Sequence, residues 1–469
     1  MSKISLMMNT GTRSMMNNQT ALSTVGHNIA NKSTEGYSRQ RVEIQSNVPM
    51  SMGNLQIGTG AKAAQVTRTN NPYLEKQIQK EGSQGGFLEA RSEAMDRVEQ
   101  VYNEQMNKGL SQYMGEFFNA FRELSNYPEN TATRTHVRET GIVLANDFQR
   151  VHKDLTAVQG DLDMQIATHT EEINQIVKEI ASLNEKVSAV EIQGVPANDE
   201  RDRRDLLLKK LNEKIDISWA ENETGQLSIT AARNAVLVSG FSSQELEAKR
   251  SGAGDRMDVY YKTPSSQLIP ITGTIKGGKL GALIETRDKT IEEFKSNIDQ
   301  LAYTFSTEIN KIHKQGVDLL GRTGEAFFNE PKEIQNAAAN MEISTSLKRD
   351  ANRVVASMRE KGVADNTVAN VIANLQDQPL LAEGTSTMGD FYRSSVGRVG
   401  VLSQRAQKES EAQKNILSQL TNLRESISGV SLDEEATKMI EYQKGFDASA
   451  RLIRTADEMF DTVLNLKRL

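Results

Sequence analysis

Residues 431–469 read SLDEEATKMIEYQKGFDASARLIRTADEMFDTVLNLKRL, a segment without proline in which apolar residues recur every three or four positions. Ser431 followed three residues later by Glu434 is a capping box, in which a hydroxyl and a carboxylate satisfy the first free amides of a helix. The recurrence places one mostly apolar stripe along a single helix. Its large apolar members are Leu432, Met439, Phe446, Ile453, Phe460 and Leu464. Another element has to cover a stripe of this length.

The opposite end of the chain carries a second stripe with the same spacing. Its members are Ile4, Met8, Met15, Leu22, Val25 and Ile29. Gly11 and Asn18 interrupt it, so the helix is weak alone and needs a partner. We predict that residues 1–33 and 431–469 pair in a coiled-coil-like terminal domain, and that the two stripes form an assembly interface with each other or with neighbouring molecules. An amphipathic helix packed on its own domain is the alternative interpretation.

The composition excludes several classes of protein. Charged residues make up 25% of the 469 residues and aromatic residues only 5%, which favours helices packed in narrow seams over one large globular core. The net charge of −6 without a basic block argues against nucleic-acid binding. The absence of cysteine excludes disulfides and thiolate chemistry. The sequence has neither an apolar run that could insert into a membrane nor a signal peptide, and taken alone this suggests the cytoplasm.

The longest apolar pattern runs from Val137 to Val190 at heptad-like spacing. It predicts a helix of roughly 55–60 residues, about 85 Å long, which is a rod and not a globule. Segments after Gly281 and between Val399 and Ile427 have matching stripes. We therefore predict a mainly α protein, an elongated bundle of long helices built from both chain halves, with residues 34–197 and 281–430 as the rod domain.

A different composition separates the long helices. Short alternating apolar runs punctuated by Gly, Asn and Ser between residues 214 and 275 are typical of strands. We predict an inserted β-rich outer domain over residues 198–280, opened by the charged stretch Asn198–Asp205. Residues 329–395 are expected to be mostly helical and to hold at most a reduced outer insertion.

Few residues in the sequence point to catalysis. Gly273–Leu280, GTIKGGKL, matches a phosphate-binding loop except at its last position, where Leu280 cannot supply the hydroxyl that binds Mg²⁺. We interpret it as a glycine turn that leads into a helix. The five histidines are scattered without metal-ligand spacing, and His169 falls on the apolar stripe of the rod. We predict no enzymatic activity, no cofactor and no metal site.

The string that follows the first stripe, Asn28–Arg41, reads NIANKSTEGYSRQR. This string, together with Gln443, Phe446, Ala448, Ala450 and Ile453 in the last helix, resembles the two terminal signatures of bacterial flagellar axial proteins, the rod, hook and hook-associated proteins. Asp202-x-Arg204-Asp205 and the string Asn310–Phe328, NKIHKQGVDLLGRTGEAFF, look like the hook-associated protein 1 family within that class.

The resemblance implies a structural subunit of the flagellum at the junction between hook and filament. It implies a homo-oligomer in a ring or helical array, with hook protein on one side, another hook-associated protein on the other, and an export chaperone at the C-terminal helix. It also implies an extracellular location reached without a cleaved signal peptide. Two alternatives stay open: another axial protein, such as hook-associated protein 3 or a hook or rod protein, and a cytosolic coiled-coil adaptor.

Overall fold

A computed structural model describes residues 3–52, 55–103, 108–251, 256–358, 362 and 364–466. The helices of these residues are α1 Lys3–Ala30, α2 Pro72–Val101, α3 Leu110–Asn126, α4 Thr131–Glu191, α5 Asn198–Lys214, α6 Gly278–Glu285, α7 Ile291–His313, α8 Thr345–Arg349, α9 Thr367–Asn374, α10 Met388–Ser428 and α11 Leu432–Leu466. The strands are β1 Gln40–Ser46, β2 Met50–Met52, β3 Leu55–Ile57, β4 Ala61–Arg68, β5 Ile217–Glu221, β6 Leu227–Ala231, β7 Ala235–Ser239, β8 Ser242–Ser243, β9 Leu246–Arg250, β10 Met257–Lys262, β11 Leu268–Pro270, β12 Gly316–Val317 and β13 Ser357–Met358. The predicted mainly α fold with a β-rich insertion is confirmed.

The rod is organised around α4, which has 61 residues and is about 90 Å long. Asn130 caps its first turn by accepting a hydrogen bond from the amide of Ala132 at 2.8 Å. Most apolar positions of the predicted stripe are buried, and Val137, Phe148 and Ile180 are fully buried. Helices α2, α3, α5, α6 and α7 pack along α4, and α10 packs along α2. The bundle therefore draws on both halves of the chain, as predicted.

One end of the rod core is aromatic. Phe117 of α3 lies 5.4 Å from Phe327, and Phe327 lies 4.8 Å from Phe328, between ring centroids. Phe305 of α7 completes the cluster at 5.8 Å from Phe328. Residues after Phe328 contribute buried side chains to the same core, namely Ala338, Met341, Ile343 and Leu347. This part of the 329–395 segment is thus a component of the rod and not an outer domain.

Residues 40–68 form an antiparallel hairpin that we call the arm. Gln40 at the start of β1 pairs with Arg68 at the end of β4, and the register shifts between Glu43 and Ile44. The short pair of β2 and β3 lies farther along the arm. The alternation of Val42 and Ile44 with polar residues is typical of a strand.

The insertion consists of two antiparallel sheets, with strand orders β5-β6-β7-β8 and β11-β10-β9. Its strands occupy 217–270, but the first part of the predicted range is helix α5. Leu208 and Leu211 of α5 are buried because this helix packs against α2 and α4. Residues 198–214 are therefore helical and lie against the rod, and the strands of the insertion begin at residue 217. The division of the whole chain into three domains stays a prediction.

A buried arginine fixes the insertion on the rod. Arg287 lies in a π-helical turn, Thr286–Thr290, between α6 and α7. Its guanidinium donates to Asp163 of α4 at 2.6 Å and to the carbonyl of Met257 at 2.5 Å. Asp163 also accepts a hydrogen bond from the amide of Met257 at 3.2 Å. One ion pair thus joins α4, the turn between α6 and α7, and strand β10.

The loop that resembles a phosphate-binding site is filled by the protein itself. Gly278 has a φ of 67°, which only glycine adopts without strain, and a Cβ there would collide with the backbone of Lys214 and Ile215. Lys279 forms an ion pair with Glu89 at 2.9 Å. Asp216 accepts a hydrogen bond from the amide of Gly277 at 3.4 Å. A carboxylate of the chain therefore occupies the position that a phosphate would need.

His313 makes the rod sensitive to acid. It is fully buried, its Nδ1 donates to the carbonyl of Glu325 at 2.6 Å and its Nε2 accepts the amide of Val355 at 3.0 Å. Burial lowers the pKa of His313 to about 4. An unfolded chain binds this proton near pH 6.5, so the contribution to stability is complete above pH 6.5 and is lost as pH falls towards 4.

Between pH 7 and pH 4, the free energy of unfolding of the native chain should fall by roughly 3 kcal/mol more than that of His313→Asn. Urea unfolding at several pH values measures this difference. The matched control is His136→Asn, because the side chain of His136 is 53% exposed. Equal pH dependence of the His313 variant and the native chain would refute the assignment.

The close approach of α2 and α5 depends on Gly86. A Cβ at this position would overlap the carbonyl oxygen of Glu213. Gly86→Ala should therefore lower the free energy of unfolding by about 1–3 kcal/mol, although alanine favours helices. Gly160→Ala on α4 is the control, because a Cβ there meets no atom within 4 Å and should add about 1 kcal/mol. Denaturant unfolding of both variants measures these changes. A gain in unfolding free energy in both variants would contradict the close packing at Gly86.

Candidate assembly interface

Helices α1 and α11 pair along their length, and the two run antiparallel. Ser14 lies opposite Ser449, with 2.8 Å between their hydroxyl oxygens. A Cβ at Gly11 would lie 2.8 Å from Cγ1 of Ile453, and one at Gly445 would lie 2.8 Å from Oδ1 of Asn18. The pairing of the two termini, predicted from the sequence, is therefore confirmed. Its closest contacts are made by small residues.

Asn28 closes the pair at the other end of α1. Its Oδ1 accepts hydrogen bonds from the hydroxyl of Tyr37 at 2.8 Å and from the amide of Gln40 at 2.9 Å. Its Nδ2 donates to the carbonyl of Gln40 and to Oε2 of Glu435, both at 2.9 Å. Glu435 is fully buried and also pairs with Lys438 at 2.8 Å. A single amide thus links α1, the arm and α11.

The twelve residues predicted for the assembly interface are covered to different extents within this pair. Val25 is buried. Seven others are half-buried: Ile4, Met15, Leu22, Ile29, Met439, Phe446 and Ile453. Four are exposed at 42–49%: Met8, Leu432, Phe460 and Leu464. Among the half-buried residues, Ile453 lies against Gly11 of α1, and the exposed ones lie on the surface of the pair.

Sequence reasoning missed two sets of residues in this region. The first is the small and polar seam around Gly11, Ser14 and Ser449, for which the spacing of Gly11, Ser14, Asn18 and Ala21 was an available signal. The second consists of large apolar side chains outside the predicted stripes. Exposed members are Met16, Ile440, Met459 and Val463, at 47–60%. In the register set by Ser14 and Ser449, Phe460 and later residues extend to or beyond the first described turn of α1.

The predicted capping box at the start of α11 has a different partner. The carboxylate of Glu434 accepts a hydrogen bond from Arg39 at 2.6 Å. Arg39 also donates its backbone amide to the carbonyl of Ser428 at 2.8 Å. Glu434, which was expected to contact Ser431, therefore connects α11 to Arg39, the residue before β1.

Residues 36–40 lie where the terminal pair meets the rod, and we call this segment the joint. Arg424 of α10 donates to the carbonyls of Gly36 and Tyr37, at 3.0 and 3.3 Å, and pairs with Glu75 of α2. Burial raises the pKa of the Tyr37 hydroxyl, and Asp199, Asp202 and Glu435 act in the same direction. The joint is held by directional polar contacts from several helices.

Asp202 of α5 contacts the joint from the other side. Its carboxylate accepts the amide of Ser38 at 2.8 Å and pairs with Arg68 of β4 at 2.7 Å. Burial raises the pKa of Asp202, although Arg68 acts in the opposite direction. Arg204, two residues on, is buried and donates to the carbonyl of Gly225 at 2.6 Å and to Glu221 at 2.8 Å. The motif thus connects the arm and joint to the β-rich insertion.

Among the residues that the structure describes, no group of three or more His, Asp or Glu side chains could hold a metal ion. His169 pairs with Glu172 at 2.8 Å. None of the described helices is long and apolar enough to cross a membrane.

Comparison with known proteins agrees with this architecture. Residues 95–328 match the family described as flagellar hook-associated protein FlgK helical domain. Residues 8–37 match the flagella basal body rod protein family, and residues 424–466 match the flagellar basal body rod FlgEFG protein C-terminal family. Together these matches cover about two thirds of the chain and include both members of the terminal pair.

Curated relatives cover nearly the whole chain. Flagellar hook-associated protein 1 of Bacillus subtilis (strain 168) is 28% identical over 97% of this chain and 97% of its own length. The protein of the same name from Escherichia coli (strain K12) is 25% identical over 96% and 97%. The solved structure of the flagellar hook junction protein FlgK from Burkholderia pseudomallei has the same fold, with a TM-score of 0.68 at 14% identity over 75% of this chain and 100% of that chain.

A long-helix rod joined to a pair of terminal helices, both matching rod-protein families, defines a flagellar axial protein. The helical-domain match and the full-length relatives specify which one: the chain belongs to the flagellar hook-associated protein 1 family.

Asn28→Asp tests how the terminal pair is held. The change replaces the Nδ2 donor by an oxygen that faces the carbonyl of Gln40 and the buried carboxylate of Glu435. We expect limited proteolysis of residues 1–40 to become at least about tenfold faster, since losing one such contact costs more than 1.4 kcal/mol. Asn9→Asp, at an exposed position of α1, is the control and should behave as the native chain. Unchanged proteolysis of Asn28→Asp would contradict this role of Asn28.

Proposed function

We propose that this chain is a structural subunit of the bacterial flagellum that forms the junction between hook and filament. The observation that carries the proposal is that different residues of the terminal pair form its inner contacts and its exposed surface. Small and polar residues make its closest contacts, whereas large apolar side chains lie on its surface. An exposed apolar surface on a helix pair is the expected property of a subunit that is completed by its neighbours.

The interface that we propose includes the exposed members of the predicted stripes and those that the structure adds. Met8, Met16, Ile440, Phe460 and Val463 are each 42–60% exposed. Burying such surface contributes about 25 cal/mol per Å² of apolar area, so several side chains together stabilise a contact between subunits by several kcal/mol. The half-buried residues Met15, Phe446 and Ile453 position this surface from within the pair.

Assembly through this surface produces a homo-oligomer in a ring or helical array. Contacts of this type are head-to-tail, because one end of a subunit meets a different part of the next. Hook protein would lie on one side of the junction and another hook-associated protein on the other. The exposed face of α11 is also the surface on which an export chaperone would bind before assembly, because its apolar side chains need cover in the free subunit.

Alternative functions have weaker support. The family match over residues 95–328 favours the junction over a hook or rod protein, whose families match only the two terminal segments. A cytosolic coiled-coil adaptor would use the rod for dimerisation, but the apolar stripe of α4 is already covered within one chain. A role as a structural subunit needs no enzymatic activity, no cofactor and no membrane insertion, and export through the flagellum needs no cleaved signal peptide.

Phe460→Asp tests the terminal surface in cells. A charge at this 45% exposed position should prevent burial between subunits while each subunit still folds, because the side chain is outside the intramolecular seam. We expect cells that carry only this variant to have hooks without filaments and to lose filament subunit to the medium. Electron microscopy and an immunoassay of the medium measure both effects.

Val143→Asp is the matched control, since Val143 is 42% exposed in the N-terminal part of α4, and it is the C-terminal end of this helix that lies near the joint. Cells with this variant should have normal filaments. Full filaments with Phe460→Asp would refute the terminal surface, and normal filaments after deletion of the gene would refute the junction itself.

A further inference from the structure

The C-terminal part of α10 carries an apolar stripe that the rod does not cover. Ile416 and Leu423 are 43% and 50% exposed, and Leu420 and Ile427 are half-buried. The spacing of four, three and four residues places these four side chains in one row along the helix. We call this row the α10 stripe. Contacts with α2 use a neighbouring line of residues, which contains Gln413, Leu417 and Arg424.

The α10 stripe is also free of charge. Residues 415–423 contain no charged side chain, in a chain in which 25% of the residues are charged. The charges at either end of this segment turn towards α2: Lys414 pairs with Glu89 at 3.0 Å and Arg424 with Glu75 at 3.0 Å. The cores of protein interfaces are depleted of charged residues in the same way, because burying an unpaired charge is costly.

A second uncharged surface lies on the arm. Residues 44–61 contain no charged side chain, and we call those that the structure describes, 44–52 and 55–61, the arm tip. Ile44 and Val48 of the arm tip are 52% and 80% exposed. The opposite side of the arm rests on α1, where Asn17 donates to the carbonyl of Ala61 at 2.9 Å and accepts the amide of Ala63 at 2.8 Å. The arm is therefore held in place while Ile44 and Val48 remain uncovered.

The two uncharged surfaces lie on opposite sides of the joint. From Gln40, which contacts Asn28, the arm runs along α1 to Gly60, which approaches Thr10. The part of α10 that carries the stripe runs the other way from the joint, since its Arg424 lies beside Gly36 and its Leu417 lies beside Gly85 on the rod. An arm tip therefore points away from the stripe of its own chain, and the two can meet only between copies.

We propose that the arm tip of one copy packs on the α10 stripe of the next copy. This inference rests on the proposed function, because it describes one contact of the same assembly. The contact joins unlike surfaces, so it repeats head-to-tail and extends into a ring or a helical array. The absence of charge from both surfaces makes them complementary to each other and poorly suited to the charged faces found elsewhere on the rod.

Cysteine cross-linking tests this contact directly, because the native chain has no cysteine. Four double variants pair Ile44→Cys or Val48→Cys with Ile416→Cys or Leu423→Cys, each as the only copy in flagellated cells. Isolated flagella are oxidised or treated with a short bismaleimide and analysed on non-reducing gels. We expect at least one pair to give a ladder of dimers, trimers and longer oligomers, whereas single variants give no ladder.

Val143→Cys combined with Leu423→Cys is the matched control and should remain monomeric, since Val143 is exposed in the N-terminal part of α4, remote from the joint. Absence of the chain from isolated flagella would overturn the proposed function. Presence of the chain at the junction with no ladder from any of the four pairs would overturn only the contact, since disulfides need Cα atoms within about 7 Å and four pairs sample the surface.

A charge exchange gives a second measurement on the same surfaces. Leu423→Glu should reduce the number of filaments per cell at least about tenfold, which corresponds to 1.4 kcal/mol or more. Adding Val48→Lys should restore filaments, because the opposite charges then meet. Circular dichroism of both purified variants should match the native chain, as both positions are exposed. Full filaments with Leu423→Glu alone, or no recovery in the double variant, would count against the contact.

Discussion

The amide of Asn28 is the contact on which the rest of the terminal domain depends. It is buried, and its two polar atoms make four hydrogen bonds that join the end of α1, the start of the arm and the first turn of α11. A buried amide that loses partners costs more than each bond contributes, so these elements keep one relative position or separate together. The two ends of the chain, more than 400 residues apart, acquire their geometry here.

The composition of the two terminal helices reflects two separate requirements, close packing within one copy and contact with other copies. Small residues such as Gly11 and Ser449 let the backbones approach closely, which needs little apolar area between the helices. Large side chains such as Phe460 then remain outside, where they are available to neighbours. Folding of one copy and association between copies thus use different residues. A surface substitution can therefore block assembly without unfolding the subunit.

Helix α5 transmits the position of the joint to the outer part of the molecule. Asp202 faces the arm and Arg204 faces the β-rich insertion, while Arg424 reaches the joint from α10. These are buried, charge-assisted hydrogen bonds, which are strong and sensitive to direction. The angle between the terminal pair and the rod is therefore set by polar geometry, whereas the rod itself is held by apolar packing around α4. The joint and the rod depend on different forces, so changes in pH should affect them through different groups.

The sequence by itself determined the elements with strong periodicity. The stripe from Val137 to Val190, the β-rich composition after α5 and the strings around Gly36 and His313 indicated the rod, the insertion and the family, because heptad spacing and turn residues are local properties of the chain. Only the tertiary structure decided which face of each terminal helix looks inward. Asn28 and Ser449 have no apolar periodicity, and their burial follows from the close approach of two helices that the sequence separates by most of its length. The position of α5 was likewise decided by tertiary contacts, because Leu208 and Leu211 are buried against α2 and α4.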